Sequence, residues 1–155
     1  MRKIRIALPV LAAVAALLAP VGSSFAGEGG DAITERRALM RLQGAAAAAI
    51  KAAIDSKDAA RLKLVEGSAR ALTFSSRAIP TMFPKGSDAK AGETKALDII
   101  WTESAGFKAA AENMGKLAAT LADALKSGDA AASLAAFGAL GKDGCGGCHG
   151  KYQRQ

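Results

Sequence analysis

The sequence predicts an all-α protein, an antiparallel four-helix bundle, on three observations. Half of its 155 residues are hydrophobic but only 5% are aromatic, a composition for alanine- and leucine-built helices rather than an aromatic-rich sandwich or barrel. Four segments carry apolar residues at spacings of three and four, and strand-like alternation occurs nowhere. The segments are joined by two short links and one longer loop, the connectivity of an up-and-down bundle. A chain of this length has room for one domain.

Residues 1–26 read as a cleaved secretory signal peptide. Arg2, Lys3 and Arg5 make a basic start, Ala7 to Ala19 an apolar run, and Ser24-Phe25-Ala26 a cleavage site with small residues flanking Phe25. Cleavage is expected after Ala26. The apolar run is too short for a spanning helix, which needs about 20 residues, and Pro9 and Pro20 interrupt or bound it. The 21 Lys and Arg against 14 Asp and Glu give a formal charge of +7, and removing the three basic residues of the leader leaves +4 on residues 27–155. Basic and acidic residues alternate along that domain with no basic stripe between aromatics, so no nucleic-acid partner is expected. A mature protein in the periplasm, not held to the membrane, follows from the leader and the absence of a second long apolar stretch. Both cysteines then enter an oxidising compartment.

The first helix is expected from Asp31, with Thr34 as the other candidate cap, to about Ile54. Its inner stripe reads Leu39, Leu42, Ala46, Ala49 and Ala53, thin because its second half is small. Ser56-Lys57-Asp58 breaks the chain. Leu62, Val65, Ala69 and Leu72 make a second helix over about 58–78, stopped before Pro80 because a residue preceding proline leaves helical geometry. Ile79 to Thr94, with Pro80, Pro84, Gly86 and Gly92, is the long loop, expected to wrap across the bundle. The strongest periodicity follows: Leu97, Ile100, Ser104, Phe107, Ala111, Met114, Ala118, Leu121 and Leu125. Ser127-Gly128-Asp129 closes this third helix, and Leu134, Phe137 and Leu140 begin a fourth that runs towards the C-terminus.

Near that terminus stands Cys145-Gly146-Gly147-Cys148-His149, the C-x-x-C-H pattern by which a c-type haem is attached. On a helix, positions i, i+3 and i+4 share a side, so two thiols and an imidazole meet one flat group. The thiols form thioethers with the haem vinyls and His149 binds iron from the proximal side. One haem c per chain, covalently bound, is the cofactor expected. A zinc site lacks further Cys or His ligands, and a thioredoxin-like pair lacks its βαβ context. A disulfide between Cys145 and Cys148 would leave His149 and the two glycines without purpose.

A C-terminal C-x-x-C-H on the last helix of an exported bundle resembles the class II c-type cytochromes, which comprise the cytochromes c-prime and the low-spin cytochrome c-556 type. The likeness extends to Arg36-Arg37-Ala38-Leu39-Met40 in the first helix, to Phe83-Pro84-Lys85-Gly86-Ser87, and to Ile100-Trp101 and Phe107. It implies a haem among the four helices with Met40 at the distal position and Arg36, one turn earlier, at a haem propionate or the haem edge. Many cytochromes c-prime carry a basic residue four positions after the haem histidine; here that position is Gln153.

Two functions follow from Met40. As a thioether ligand it would raise the potential and, with His149, give a low-spin electron carrier serving redox partner proteins; the c-556-like loop favours this reading. In the alternative, Met40 only packs beside the haem and a five-coordinate iron takes nitric oxide or carbon monoxide. Met114 and Met82 are expected to pack in core and loop, Trp101 and Phe107 in core or at the haem edge, and Tyr152 to lie exposed at a fraying end. Arg37 is a second, weaker match for the propionate. No acid/base pair, nucleophile or phosphate loop accompanies the single histidine, so no enzyme is expected. A homodimer through a helix face is the remaining expected association.

Overall fold

The computed structural model describes residues 28–155, and the expected signal peptide with its cleavage site lies outside the described residues. The first expected helix is α1, Glu28–Asp55. It begins a turn ahead of Asp31, so Asp31 is not its cap. Glu28 and Asp31 instead occupy the first turn, where carboxylates suit the positive end of the helix dipole, and Thr34 Oγ1 donates back to Gly30 O at 3.2 Å. The buried face carries Ala32, Ile33, Arg36, Ile50, Ala53 and Ile54, with Met40 half-buried in line. Leu42, expected inward, is 68% exposed, and Ala49 is exposed as well. The true stripe is set by Arg36, a charged position that a count of apolar residues passes over.

The second expected helix divides at Val65 into α2, Ala59–Leu64, and α3, Glu66–Ser76. Asp58 caps α2 by accepting from the backbone N–H groups of Ala60 and Arg61. Leu62, Ala69 and Leu72 remain buried across the break, so one apolar stripe serves both pieces. The long loop holds one 3₁₀ turn, Pro80–Met82, where proline fits the first turn because its missing N–H needs no partner.

The third expected helix begins two residues late and breaks at Glu103, giving α4, Ile99–Thr102, and α5, Ser104–Ser127. Leu97 N–H donates to Tyr152 O at 3.0 Å and Arg154 N–H to Lys95 O at 2.8 Å, so the residues ahead of α4 pair with the C-terminus, an antiparallel bridge between Ala96 and Gln153. Ser104, placed by its spacing on the inner stripe, is exposed; Phe107, Ala111, Met114, Ala118, Leu121 and Leu125 are buried as their periodicity predicts. Gly128 closes α5 at φ 78°, a left-handed conformation that suits glycine.

Asp129 caps α6, Ala130–Ala139, by accepting from Ala131 and Ala132. A π-helical turn, Leu140–Gly146, and α7, Gly147–Tyr152, complete the chain. Leu134, taken for the inner face of the fourth segment, is 52% exposed, while Ser133 is buried in its place. α5 packs on α3, α6, the π-helical turn and α7, and α1 packs on α2, α3 and α6. The pieces therefore assemble as four helical segments around Ile50, Leu62, Leu121, Leu125 and Leu140. No helix of the described residues is long and apolar enough to cross a membrane.

Gly115 governs the tightest crossing. A Cβ there would fall inside contact distance of Ser76 Oγ, the buried serine whose hydroxyl donates to Thr73 O at 2.9 Å. Gly115→Ala is expected to destabilise the bundle by about 1–3 kcal/mol. Gly138→Ala, where an added Cβ meets nothing within 4 Å, is expected to stabilise it by about 0.5–1 kcal/mol through helix propensity. Urea denaturation followed by circular dichroism checks the pair; equal effects would refute the close crossing.

Candidate cofactor site

The C-x-x-C-H residues do not share one regular helix. Cys145 falls in the π-helical turn, while Cys148 and His149 are on α7. Such widened turns recur at functional sites, and glycines make this one fit. A Cβ on Gly146 would sit 3.0 Å from Gly141 O, and one on Gly144 would sit 3.0 Å from Leu140 Cδ1 and 3.4 Å from the Met114 backbone. The run of glycines over 141–150 is the sequence signal for this departure, because glycine is a poor former of regular helix.

Cys145 and Cys148 are free thiols, both half-buried. Burial pushes both thiols above the usual cysteine range, with the neighbouring Cys145 adding to the effect on Cys148. Burial also holds the His149 imidazole below the usual histidine range, which keeps it neutral near pH 7, the form that ligates a metal. Among the described residues, no group of three or more His, Cys, Asp and Glu gathers to hold a bare metal ion.

The motif opens onto two adjoining cavities. The outer one, about 640 Å³, runs from Arg36 and Met40 on α1 past Phe83 and Ile100 to His149 and Tyr152 on α7. The inner one, about 190 Å³, is lined by Gly44 and Ala47 of α1, Leu72 of α3, Ala111 and Met114 of α5, Phe137 of α6, and both cysteines. Met40, Ile79, Cys148 and His149 line both. The outer volume lies within the range of about 300–1,000 Å³ that cofactor pockets occupy. Chemically the two ends are opposite. The inner cavity is lined by no Lys, Arg, Asp or Glu, and its one amide, Gln43, donates to Ser75 Oγ at 2.9 Å.

Arg36 dominates the outer end. It is only 3% exposed, and burial lowers its pKa, yet a guanidinium stays charged in proteins. No carboxylate pairs with it among the described residues. Nη1 donates to Ser87 Oγ at 2.9 Å, and Nη2 donates to Ser87 O at 2.7 Å and Thr94 Oγ1 at 2.9 Å. Its guanidinium carbon stands 4.5 Å from the Phe83 ring centroid, a cation–π contact. Arg36 thus fastens the loop to α1. Spacing gave no sign of Ser87 or Thr94, because they are isolated loop polars whose partner is over 50 residues away.

Aromatic rings complete the wall. Phe83 meets Phe107 edge-on at 4.8 Å, and Phe107 meets Tyr152 at 5.1 Å. Trp101 Nε1 donates to the carbonyls of Phe83 and Pro84 at 3.0 and 3.1 Å. Tyr152, expected exposed at a fraying end, is 4% exposed, because the pairing of residues 95–97 with 152–154 holds the terminus down. Met114 is buried in the core as expected, and Met82 is half-buried in the 3₁₀ turn. Arg37 is exposed and makes only a long contact, 3.5 Å, from Nη1 to Glu93 O. Gln153 lines the outer cavity beside Arg154.

These residues fit a flat, amphipathic, covalently held group: two thiols and an imidazole against an apolar inner end, and at the outer end a buried cation with no carboxylate partner among the described residues. Comparison with known proteins agrees. Residues 31–153 match the family described as Cytochrome C'. A curated cytochrome c' from Rubrivivax gelatinosus is 37% identical over 132 residues, 81% of this chain and 96% of that protein. A crystal structure of cytochrome c' from Rubrivivax gelatinosus aligns with a TM-score of 0.68 at 31% identity, covering 81% of this chain and 97% of that one. A nitric oxide complex of a variant of cytochrome c prime from Alcaligenes xylosoxidans shares the fold, with a TM-score of 0.70 at 23% identity over 83% of this chain and 98% of that one.

Arg36→Lys keeps the charge but not the planar fork that holds Ser87 and Thr94 together. It is expected to lower stability by about 1–3 kcal/mol, measured by urea denaturation, with Arg37→Lys as the neutral comparison. Equal stability of the two variants would mean that the grip on the loop contributes nothing.

Proposed function

The chain belongs to the cytochrome c' family, whose members carry one covalently attached haem c per chain, and from that premise we propose that it is an exported five-coordinate haem protein that binds nitric oxide or carbon monoxide. In this reading Cys145 and Cys148 form the thioethers, His149 is the proximal iron ligand and Arg36 faces a haem propionate. The low-spin carrier with His149 and Met40 as axial ligands gives way to its alternative. Met40 then packs beside the haem, as methionine commonly fills irregular gaps.

One observation carries the reading: the cavity around Met40 and His149 has an inner end without a charged side chain. An uncharged lining suits a small, weakly polar diatomic and offers no acid or base for turnover, so the proposal includes the absence of an enzymatic reaction. A haem bound here would supply a ferrous iron able to take either gas. The protein's own residues do the rest. His149, kept neutral by burial, would present its imidazole, Cys145 and Cys148 would anchor the group, and Leu72, Ile79 and Ala111 line the inner end with apolar surface. Gly44 and Ala47 remove bulk beside Met40 on α1, leaving room on that side.

Export to the periplasm belongs to the same proposal, on the basic, apolar and small-residue pattern of residues 1–26. So does a homodimer, for which Leu42 on α1 and Phe74 on α3 stand exposed at 68% and 65%.

Optical spectra of the purified ferric and ferrous protein, before and after carbon monoxide, test the reading. High-spin spectra that shift with the gas are expected, and Met40→Ala is expected to leave iron coordination unchanged. A low-spin spectrum indifferent to carbon monoxide, converted to high spin by Met40→Ala, would restore the electron-carrier reading. His149→Ala is expected to lose the ordered haem spectrum altogether.

A further inference from the structure

Residues 28–155 carry an excess of cations at one cavity mouth. They hold 18 of the 21 Lys and Arg and all 14 Asp and Glu. The outer cavity is lined by five of those cations, Arg36, Arg37, Arg41, Lys95 and Arg154, and by one acid, Glu93. The remaining cations and acids are equal in number, 13 of each, so the excess of four cations at this mouth equals the net charge of +4.

Four of the five cations are exposed. They come from three parts of the chain: Arg37 and Arg41 from α1, Lys95 from the loop and Arg154 from the C-terminal segment. The ion pairs of the described residues lie elsewhere, between Lys51 and Asp55, Arg70 and both Glu66 and Asp123, Lys108 and Glu112, and Lys151 and Glu103. Among the described residues none of the rim cations forms an ion pair, and Arg154 Nη2 donates to Thr94 O at 2.7 Å. A bound haem brings two propionates, which offset part of this charge and leave the mouth positive.

We propose that this rim is the docking surface for the acidic face of an electron-transfer protein, which would deliver the electron that makes the iron ferrous. The inference rests on the reading of the cavity as a haem site. Its geometry favours an extended partner over a small anion: long, exposed side chains from three segments frame an opening, whereas a small oxyanion needs donors converging on one point. A one-signed field around a cleft steers and orients an oppositely charged surface.

The test is equilibrium binding of fluorescently labelled flavodoxin, an acidic electron-transfer protein, to the haem-loaded protein, read by anisotropy at about 10 mM and about 200 mM salt. Binding is expected to weaken at least about tenfold at the higher salt. The triple variant Arg37→Gln, Arg41→Gln, Lys95→Gln is expected to lose about tenfold or more in affinity at low salt. Lys57→Gln, Lys116→Gln, Lys126→Gln removes the same charge away from the mouth and is expected to change affinity less than about twofold. Arg37→Lys with Arg41→Lys keeps the charge and is expected to keep binding. Equal losses in the two triple variants, binding indifferent to salt, or displacement of flavodoxin by inorganic phosphate at constant ionic strength would each overturn the proposal. A purified protein without a haem absorption band would instead refute the haem reading itself, and is seen before any titration.

Discussion

A guanidinium buried without a carboxylate is the constraint on which the rest of the site depends. Arg36 can sit there because Ser87 and Thr94 accept from it and Phe83 lies under its face. Removing a charge from water is expensive unless it is hydrogen-bonded, so the loop must bring those acceptors to α1. That requirement draws residues 83–94 across the bundle. It also positions Phe83 against Phe107, and through Phe107 against Tyr152 on the helix that carries the motif.

The same arrangement sorts the cavity by polarity. Cations gather at the end where the loop and the C-terminal segment meet α1. The inner end is lined mostly by apolar side chains from all four helical segments. A haem has just this asymmetry, with propionates on one edge and vinyl groups on the other. The two thiols stand at the apolar end, where vinyls belong, and Arg36 stands at the opposite one. Burial and charge would thus favour the proposed orientation of a haem, with Arg36 at its propionate edge.

Much of the fold was legible because helix periodicity is local. The α5 stripe from Phe107 to Leu125 is buried almost position by position, since a long, strongly amphipathic segment has one way to face a core. α1 was misread at Leu42 and Ala49, and α6 at Leu134, for a shared reason. Both helices are rich in alanine, so a weak apolar signal leaves the phase open; in α1 the hydrogen-bonded Arg36 turns inward, and in α6 Ser133 is buried although its hydroxyl finds no partner among the described residues. The late start of α4 was invisible for a different reason: Leu97 gives its N–H to a residue 55 positions further along the chain.

The chemistry of the site was fixed by residue type and spacing. Two cysteines and one histidine in C-x-x-C-H can be used together in few ways, and the leader-like first 26 residues set the expected compartment. Tertiary structure alone decided what surrounds that chemistry. The close approach of Gly144 in the π-helical turn to α5, the burial of Tyr152 through a pairing between distant segments, and the cationic mouth built from three pieces of chain that sequence keeps apart all belong to it. Net charge is a property of composition, but its location is a property of the fold, because only folding brings Arg37, Arg41, Lys95 and Arg154 to one opening while the remaining charges cancel.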